Sequence, residues 1–259
     1  MAPEKEIAGK KLDAWIDEEK KSFKVKIITG KRYEHRIIAY LDILGTKKLI
    51  EKHQVDEYKA IQRIERIRTI VESSLESLMY KNIIDFNYIS DSIVLVCKPE
   101  ALKALIVALA NIQMRIVCEC HFLLRGAITI GKVISKDKAK FIIGPAFIEA
   151  FLLQEKDAIY PRIIISNSLM VEINKYPDIK NYIKIDQDKE YFIDYIHLFM
   201  KNEGRFKNNL KAKLQSDDVF NYLEKEYEDN NNDMNHRTKQ KYGWTIQYYK
   251  RLEVWKNEN

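Results

Sequence analysis

Two β-rich runs, Ile83 to Ile89 and Ile93 to Cys97, are joined by nothing but Ser90-Asp91-Ser92. A connection this short permits only a tight antiparallel hairpin. Long helical patterns flank it. Upstream, Tyr58, Ile61, Ile64, Ile67, Val71, Leu75 and Leu78 recur at threes and fours, which predicts one amphipathic helix within Lys47 to Met79. Downstream, Pro99 and Glu100 open a run to about Cys120 that is apolar nearly all round, so the helix it predicts must be largely buried. Ile37-Ile38-Ala39-Tyr40-Leu41 reads as a central strand before the first helix, and Leu123 to Ile130, stopped at Gly131, as a strand after the second. The order β-α-β-β-α-β predicts an α+β, ferredoxin-like arrangement: an antiparallel sheet with both helices on one face.

The rest of the chain extends this core. Ile142-Ile143 with Gly144-Pro145 predicts a short strand and then a helix from Ala146 to about Lys156, and Tyr160-Pro161 leads into a strand over Arg162 to Ile165. Further short strands are expected at Tyr182 to Ile185 and Tyr191 to Ile193. Two helices, Phe206 to Tyr227 and Arg237 to Trp255, close the sequence on either side of the polar stretch Asp229 to Asp233. Residues 1–23 read as a charged helix, followed by the alternating run Phe23 to Ile27 and a turn at Gly30. The division expected is an extension over 1–30, a main domain over 31–200 and terminal helices over 201–259.

Composition narrows the class. Only 8 Gly and 5 Pro in 259 residues exclude collagen-like and turn-dense all-β sandwich folds, and 46% hydrophobic residues exclude general disorder. Cys97, Cys118 and Cys120 provide neither a disulfide framework nor a zinc quartet, which suits a reducing compartment. No secretory signal and no run of about 18 apolar residues stand out, so a cytoplasmic protein without a membrane partner is expected. The net charge of +6, from interspersed charges of both signs, is compatible with an anionic partner such as a nucleotide. No basic stripe interleaved with aromatics marks a nucleic-acid binder.

Two carboxylates are placed for chemistry. Asp42 ends the first strand, Asp91 tips the hairpin, and in a β-α-β-β sheet the first and third strands are neighbours, so the two can converge. Converging carboxylates suit a divalent cation, and oxygen donors with room for phosphate suit Mg²⁺ better than zinc. The segment after Asp42, Leu44-Gly45-Thr46 at the opening of a long helix, offers backbone N–H groups to a triphosphate. The plainer alternative makes Asp91 a turn former and Asp42 a helix cap. The five histidines show no ligand spacing.

Four segments, Ala39 to Gly45, Ser90-Asp91-Ser92, Arg125 to Gly131 and Gly144 to Phe151, follow in order the motif series of class III nucleotidyl cyclases, which the chain resembles. Ser-Asp-Ser, Gly-Pro-Ala, Ala158 to Ile164 and the late Lys241-Tyr242-Gly243-Trp244 look like the pyrimidine cyclases of bacterial Pycsar anti-phage defence. The resemblance implies a metal-dependent lyase. Asp42, Asp91 and the Ile43 carbonyl would hold Mg²⁺ or Mn²⁺ on the triphosphate of UTP or CTP, and the product would be cUMP or cCMP, a signal for a cyclic-nucleotide-binding effector. It also implies a homodimer with two sites built across the subunit seam.

Departures from the purine cyclases sharpen that expectation. Where those enzymes carry the Lys and Asp that read adenine, this chain has Asn87 and Phe141, so these are the expected base-selecting residues. Where they carry a transition-state Asn and Arg it has Ile148 and Leu152, and Gln154 replaces an acidic residue. A cation must therefore come from elsewhere, and Arg125 and Arg162 are the candidates. A catalytically weak or silent nucleotide sensor and a palm-type nucleotidyltransferase are the alternative functions.

Overall fold

A central strand with apolar residues on both of its faces organises the protein. The computed structural model describes residues 33–44, 57–76, 83–136, 139–197, 218–229 and 236–257. The expectations for residues 1–32, for Gly45 and Thr46, for the helix ends at 47–56 and 77–79 and for 206–217 lie outside the described residues. Strand β1 (Glu34–Leu44) pairs antiparallel with β3 (Ser92–Cys97) and β4 (Leu123–Lys136), and β3 pairs with β2 (Ile84–Ile89). The order β2-β3-β1-β4 is the ferredoxin-like sheet expected, and the fold class is α+β.

Ile37, Ala39, Leu41 and Ile43 of β1 face helices α1 (Glu57–Glu76) and α2 (Leu102–Cys120), in one core with Ile67, Ile70, Leu105 and Leu109. Ile38 and Tyr40 face the opposite way, against Ala146 and Ala150 of α3 (Pro145–Lys156). A strand covered on both sides has no need of alternating polarity, which is why it reads as one continuous apolar run. Helix α2, preceded by a turn of 3₁₀ helix at Pro99–Ala101, is long and apolar enough to cross a membrane, contrary to the expectation that no such segment exists. Its most apolar window is 83% buried inside the protein, between the sheet and α1.

The sheet continues past β4. Strand β6 (Ile163–Ile165) joins it in parallel, β8 (Tyr191–Ile193) pairs with β6, and β7 (Ile183–Ile185) closes that edge, so the sheet is mixed. Gly131 does not stop β4. The strand runs on to Lys136 and pairs there with β5 (Phe141–Ile143). A Cβ at Gly131 would lie 3.2 Å from that of Ala146, so this glycine lets α3 pack down on the strand. Two helices unexpected from the sequence, α4 (Asn167–Ile173) and α5 (Pro177–Lys180), connect β6 to β7. Helices α6 (Asp218–Asp229) and α7 (His236–Asn257) add Leu223, Ile246, Tyr248 and Tyr249 to the larger core.

Candidate functional site

The register places Asp42 opposite Ser92 on one side and Arg125 on the other. Directly opposed residues share a face of the sheet, so these side chains gather on the α3 side. Arg125 Nε donates to Asp42 Oδ2 at 2.8 Å, and Gln154 Nε2, from α3, donates to the same oxygen at 3.3 Å. Arg125 Nη1 also donates to the Ala158 carbonyl at 3.4 Å. The Ser92 hydroxyl accepts a hydrogen bond from Tyr40 at 3.1 Å. Both members of the Asp42–Arg125 pair keep about a fifth of their side-chain surface in solvent, so the pair is reachable by a ligand.

Asp91 occupies the hairpin turn, after Ser90 in the left-handed conformation at φ 58°. The Ile43 N–H donates to the Asp91 carbonyl at 3.3 Å, which stitches the turn to the residue after Asp42. The two carboxylates therefore belong to one corner of the sheet. The carboxylates of Asp42 and Asp91 and the Ile43 carbonyl are oxygen donors of the type that could hold Mg²⁺ or Mn²⁺, and among the described residues no hydrogen bond reaches Asp42 Oδ1. Among the described residues no group of three or more His, Cys, Asp or Glu forms a cage of its own. Such a pair fits a cation whose remaining ligands come from substrate and water.

A further residue comes to this corner from far along the chain. Lys241, on α7, is half-buried and interacts electrostatically with Arg125 and Asp42. Burial, and next the Arg125 cation, lower its pKa from the ordinary 10.5; Asp42 opposes the shift and Arg237 adds to it. The sequence singles out Lys241-Tyr242-Gly243-Trp244 as a segment without showing what it faces.

Other expected site residues lie elsewhere. Leu44, half-buried, ends β1. Asn87 lies opposite Val94 and so on the α3 face, two strands from Asp42. Phe141 pairs with Lys136, about 11 residues along β4 from Arg125, or roughly 36 Å of strand at ~3.3 Å per residue. Within one subunit it does not reach Asp42. Ile148 and Leu152 are 57% and 38% exposed on the outer face of α3, where they line a groove of about 560 Å³.

Arg162 is a correction. Its side chain is 0% exposed, its guanidinium pairs with Asp186 and Asp188, and it lies 5.1, 5.5 and 5.7 Å from the ring centroids of Tyr160, Phe192 and Trp244. A cation enclosed by two carboxylates and three rings is committed to structure and does not serve as the transition-state cation. Its strand position, next to an X-Pro turn, looks the same in sequence whether the side chain points in or out.

No protein-family model and no curated protein matches the chain. Solved structures it resembles include a bacterial light-regulated adenylyl cyclase, with 14% identity and a TM-score of 0.46 over 72% of this chain and 99% of that one. A dimeric guanylyl cyclase domain of the RhoGC fusion protein from the aquatic fungus Blastocladiella emersonii has 14% identity and a TM-score of 0.48, over 63% and 98% of the two chains. An adenylate cyclase from Trypanosoma brucei has 13% identity and a TM-score of 0.47, over 62% and 88%. These three neighbours are adenylyl or guanylyl cyclases, or a domain of one.

Proposed function

We propose that this protein is a cytoplasmic nucleotidyl cyclase that converts UTP or CTP to the 3′,5′-cyclic monophosphate and pyrophosphate, as a second messenger in defence against phage. The observation that carries this reading is the corner itself: Asp42 at the end of the central strand, bonded by Arg125 and Gln154 and tied through Ile43 to the hairpin of Asp91. In the reaction the ribose 3′-hydroxyl loses its proton, its oxygen bonds to the α-phosphorus, and the bond from that phosphorus to the β-phosphate bridging oxygen breaks. Asp42 and Asp91, with the Ile43 carbonyl, would hold Mg²⁺ or Mn²⁺, which when bound acidifies the hydroxyl and neutralises charge on the leaving group. Arg125 contributes a second cation beside the same carboxylate; of the expected Leu44-Gly45-Thr46 segment, Leu44 is paired with Leu123 in the sheet, and Gly45 and Thr46 would receive phosphate on backbone N–H groups.

Base choice and assembly belong to the same proposal. Asn87 can present a donor or an acceptor to a pyrimidine edge, whereas Phe141 cannot accept from an adenine amino group. Because Phe141 lies far along β4 from Asp42, it can line this site only in a second copy of the chain, which supports a homodimer with sites at the seam. Phe141, Ile143, Ile148 and Leu152, all at least 38% exposed, give that copy an apolar surface. Incubation of the purified protein with each of the four NTPs and Mn²⁺, with products identified by mass, tests the function. Cyclic UMP or CMP is expected; cyclic AMP or GMP as the main product would overturn the pyrimidine reading, and no cyclic product would leave a nucleotide sensor.

A further inference from the structure

We propose that α7 completes the site: Lys241, with Arg237 one turn before it, binds the polyphosphate of a nucleotide held at Asp42, and Trp244 is the positioning residue that keeps it there. The proposal rests on the nucleotide reading above. It begins from helical spacing. Arg237, Lys241, Trp244 and Tyr248 follow one another at threes and fours, with Thr245 four residues after Lys241, and form a single stripe. Thr245 and Tyr248 are buried and Trp244 is half-buried, so the same stripe turns Lys241 inward, and Lys241 is itself half-buried. One stripe thus carries aromatic anchors on its later turns and two cations on its first.

The anchors fix where those cations fall. Trp244 stacks on Tyr160, with ring centroids 5.8 Å apart and planes 12° from parallel. Its Nε1–H donates to Asp186 Oδ2 at 2.6 Å, and that carboxylate is held in turn by the buried Arg162. One turn on, the Tyr248 hydroxyl donates to Asp194 at 2.6 Å. On the other side Arg125 rests on the carbonyl of Ala158. Trp244 and Arg125 are thereby tied to two ends of the short segment Ala158 to Tyr160, and Lys241 lies one helical turn before Trp244.

Charge then points to the ligand class. Lys241 interacts with Arg125 and Asp42 across the corner and with Arg237 on its own helix, and both arginines oppose its positive charge. A polyanion would turn that repulsion into binding energy, as a lone carboxylate or a neutral ligand would not. Ile148 and Leu152, exposed on the outer face of α3, carry no charge to offer a phosphate. Lys241 supplies one from the opposite end of the sequence.

The test uses inorganic tripolyphosphate as the probe, titrated calorimetrically into the full chain with and without Mg²⁺, beside turnover of UTP and CTP. Lys241→Gln is expected to bind tripolyphosphate at least tenfold more weakly with a shallower salt dependence, Lys241→Arg to retain most of the affinity, and circular dichroism to show both folded. Trp244→Leu should weaken binding although it touches no phosphate, and Trp244→Phe, which keeps a ring on Tyr160, should recover it. Should Lys241→Gln fail to fold, the exposed Arg237→Gln carries the test, with about a threefold loss expected. Wild-type affinity in Lys241→Gln, or in Arg237→Gln where that variant stands in, overturns the proposal, as does wild-type protein that does not bind the probe. A wild-type protein that binds tripolyphosphate through Lys241 but forms no cyclic product would sink the cyclase reading alone.

Discussion

At the scale of single residues, two buried or half-buried ion pairs carry opposite meanings. Asp42 and Arg125 keep solvent access, so their mutual attraction is screened and contributes at most about 1 kcal/mol to stability. Asp42→Asn is therefore expected to leave the urea midpoint nearly unchanged while lowering cyclase turnover more than a hundredfold; wild-type turnover would remove Asp42 from the chemistry. Arg162 has no solvent access, and taking it away removes a buried cation that pairs with Asp186, itself 8% exposed. Arg162→Met should lower unfolding free energy by about 3 kcal/mol, read from urea denaturation. Loss of turnover at an unchanged midpoint would restore it to the site. Sequence distinguishes these arginines poorly, since Arg125 lies near the start of β4 and Arg162 just before β6. What separates them is the set of carboxylates and rings that the fold brings up, Asp186, Asp188, Tyr160, Phe192 and Trp244 around one and Asp42 around the other.

Among the strands, β4 runs well past the end that the sequence suggests. Its first half is a mostly apolar run and was legible; its second half continues through a glycine that resembles a strand end. Gly131 and Gly126 are instead points of close approach. A Cβ at Gly126 would lie 2.6 Å from Leu41 Cδ2 and 2.7 Å from the Tyr40 carbonyl oxygen, so β1 would have to move. Gly126→Ala is expected to cost about 1–3 kcal/mol and, because Arg125 and Asp42 flank the contact, to lower turnover as well. Equal stability of the variant and the wild type in thermal denaturation would contradict that. The hairpin, α1 and α2 were legible because their periods and the short turn at Ser90-Asp91 leave few options. Helices α4 and α5, at 7 and 4 residues, are too short for a period to emerge, and they are held by local devices such as the Ser166 hydroxyl accepting from the Leu169 N–H at 3.2 Å.

The whole molecule is closed by aromatic residues of α7, and that closure has a pH dependence. Burial, more than any neighbour, raises the hydroxyl pKa of Tyr248 and Tyr249 well above the ordinary 10.0, and that of Tyr195 in the same direction. The folded state thus keeps protons that the unfolded state releases. Their contribution to stability is intact below the unfolded value of about 10 and declines as pH rises beyond it. Urea midpoints measured from pH 8 to 11.5 should be flat at first and then fall, together with a rise in tyrosinate absorbance; a flat profile to the top of the range would show these phenols already ionisable in the folded protein. The juxtaposition of Lys241 with Asp42 could not be read from sequence, because it depends on how the final helix seats against the turn at Tyr160. The same long-range closure governs how the chain is made. Strand β1 is central, yet β4 pairs Val133 with Glu34 and so reaches the ribosome exit about 100 residues after it. At synthesis rates of roughly 5–20 residues per second, Ile37 to Leu41 waits on the order of 5–20 s for its second partner. During that interval a bare apolar strand edge is open to any neighbouring nascent chain, so the yield of soluble protein should be set by chaperone supply and translation speed more than by final stability.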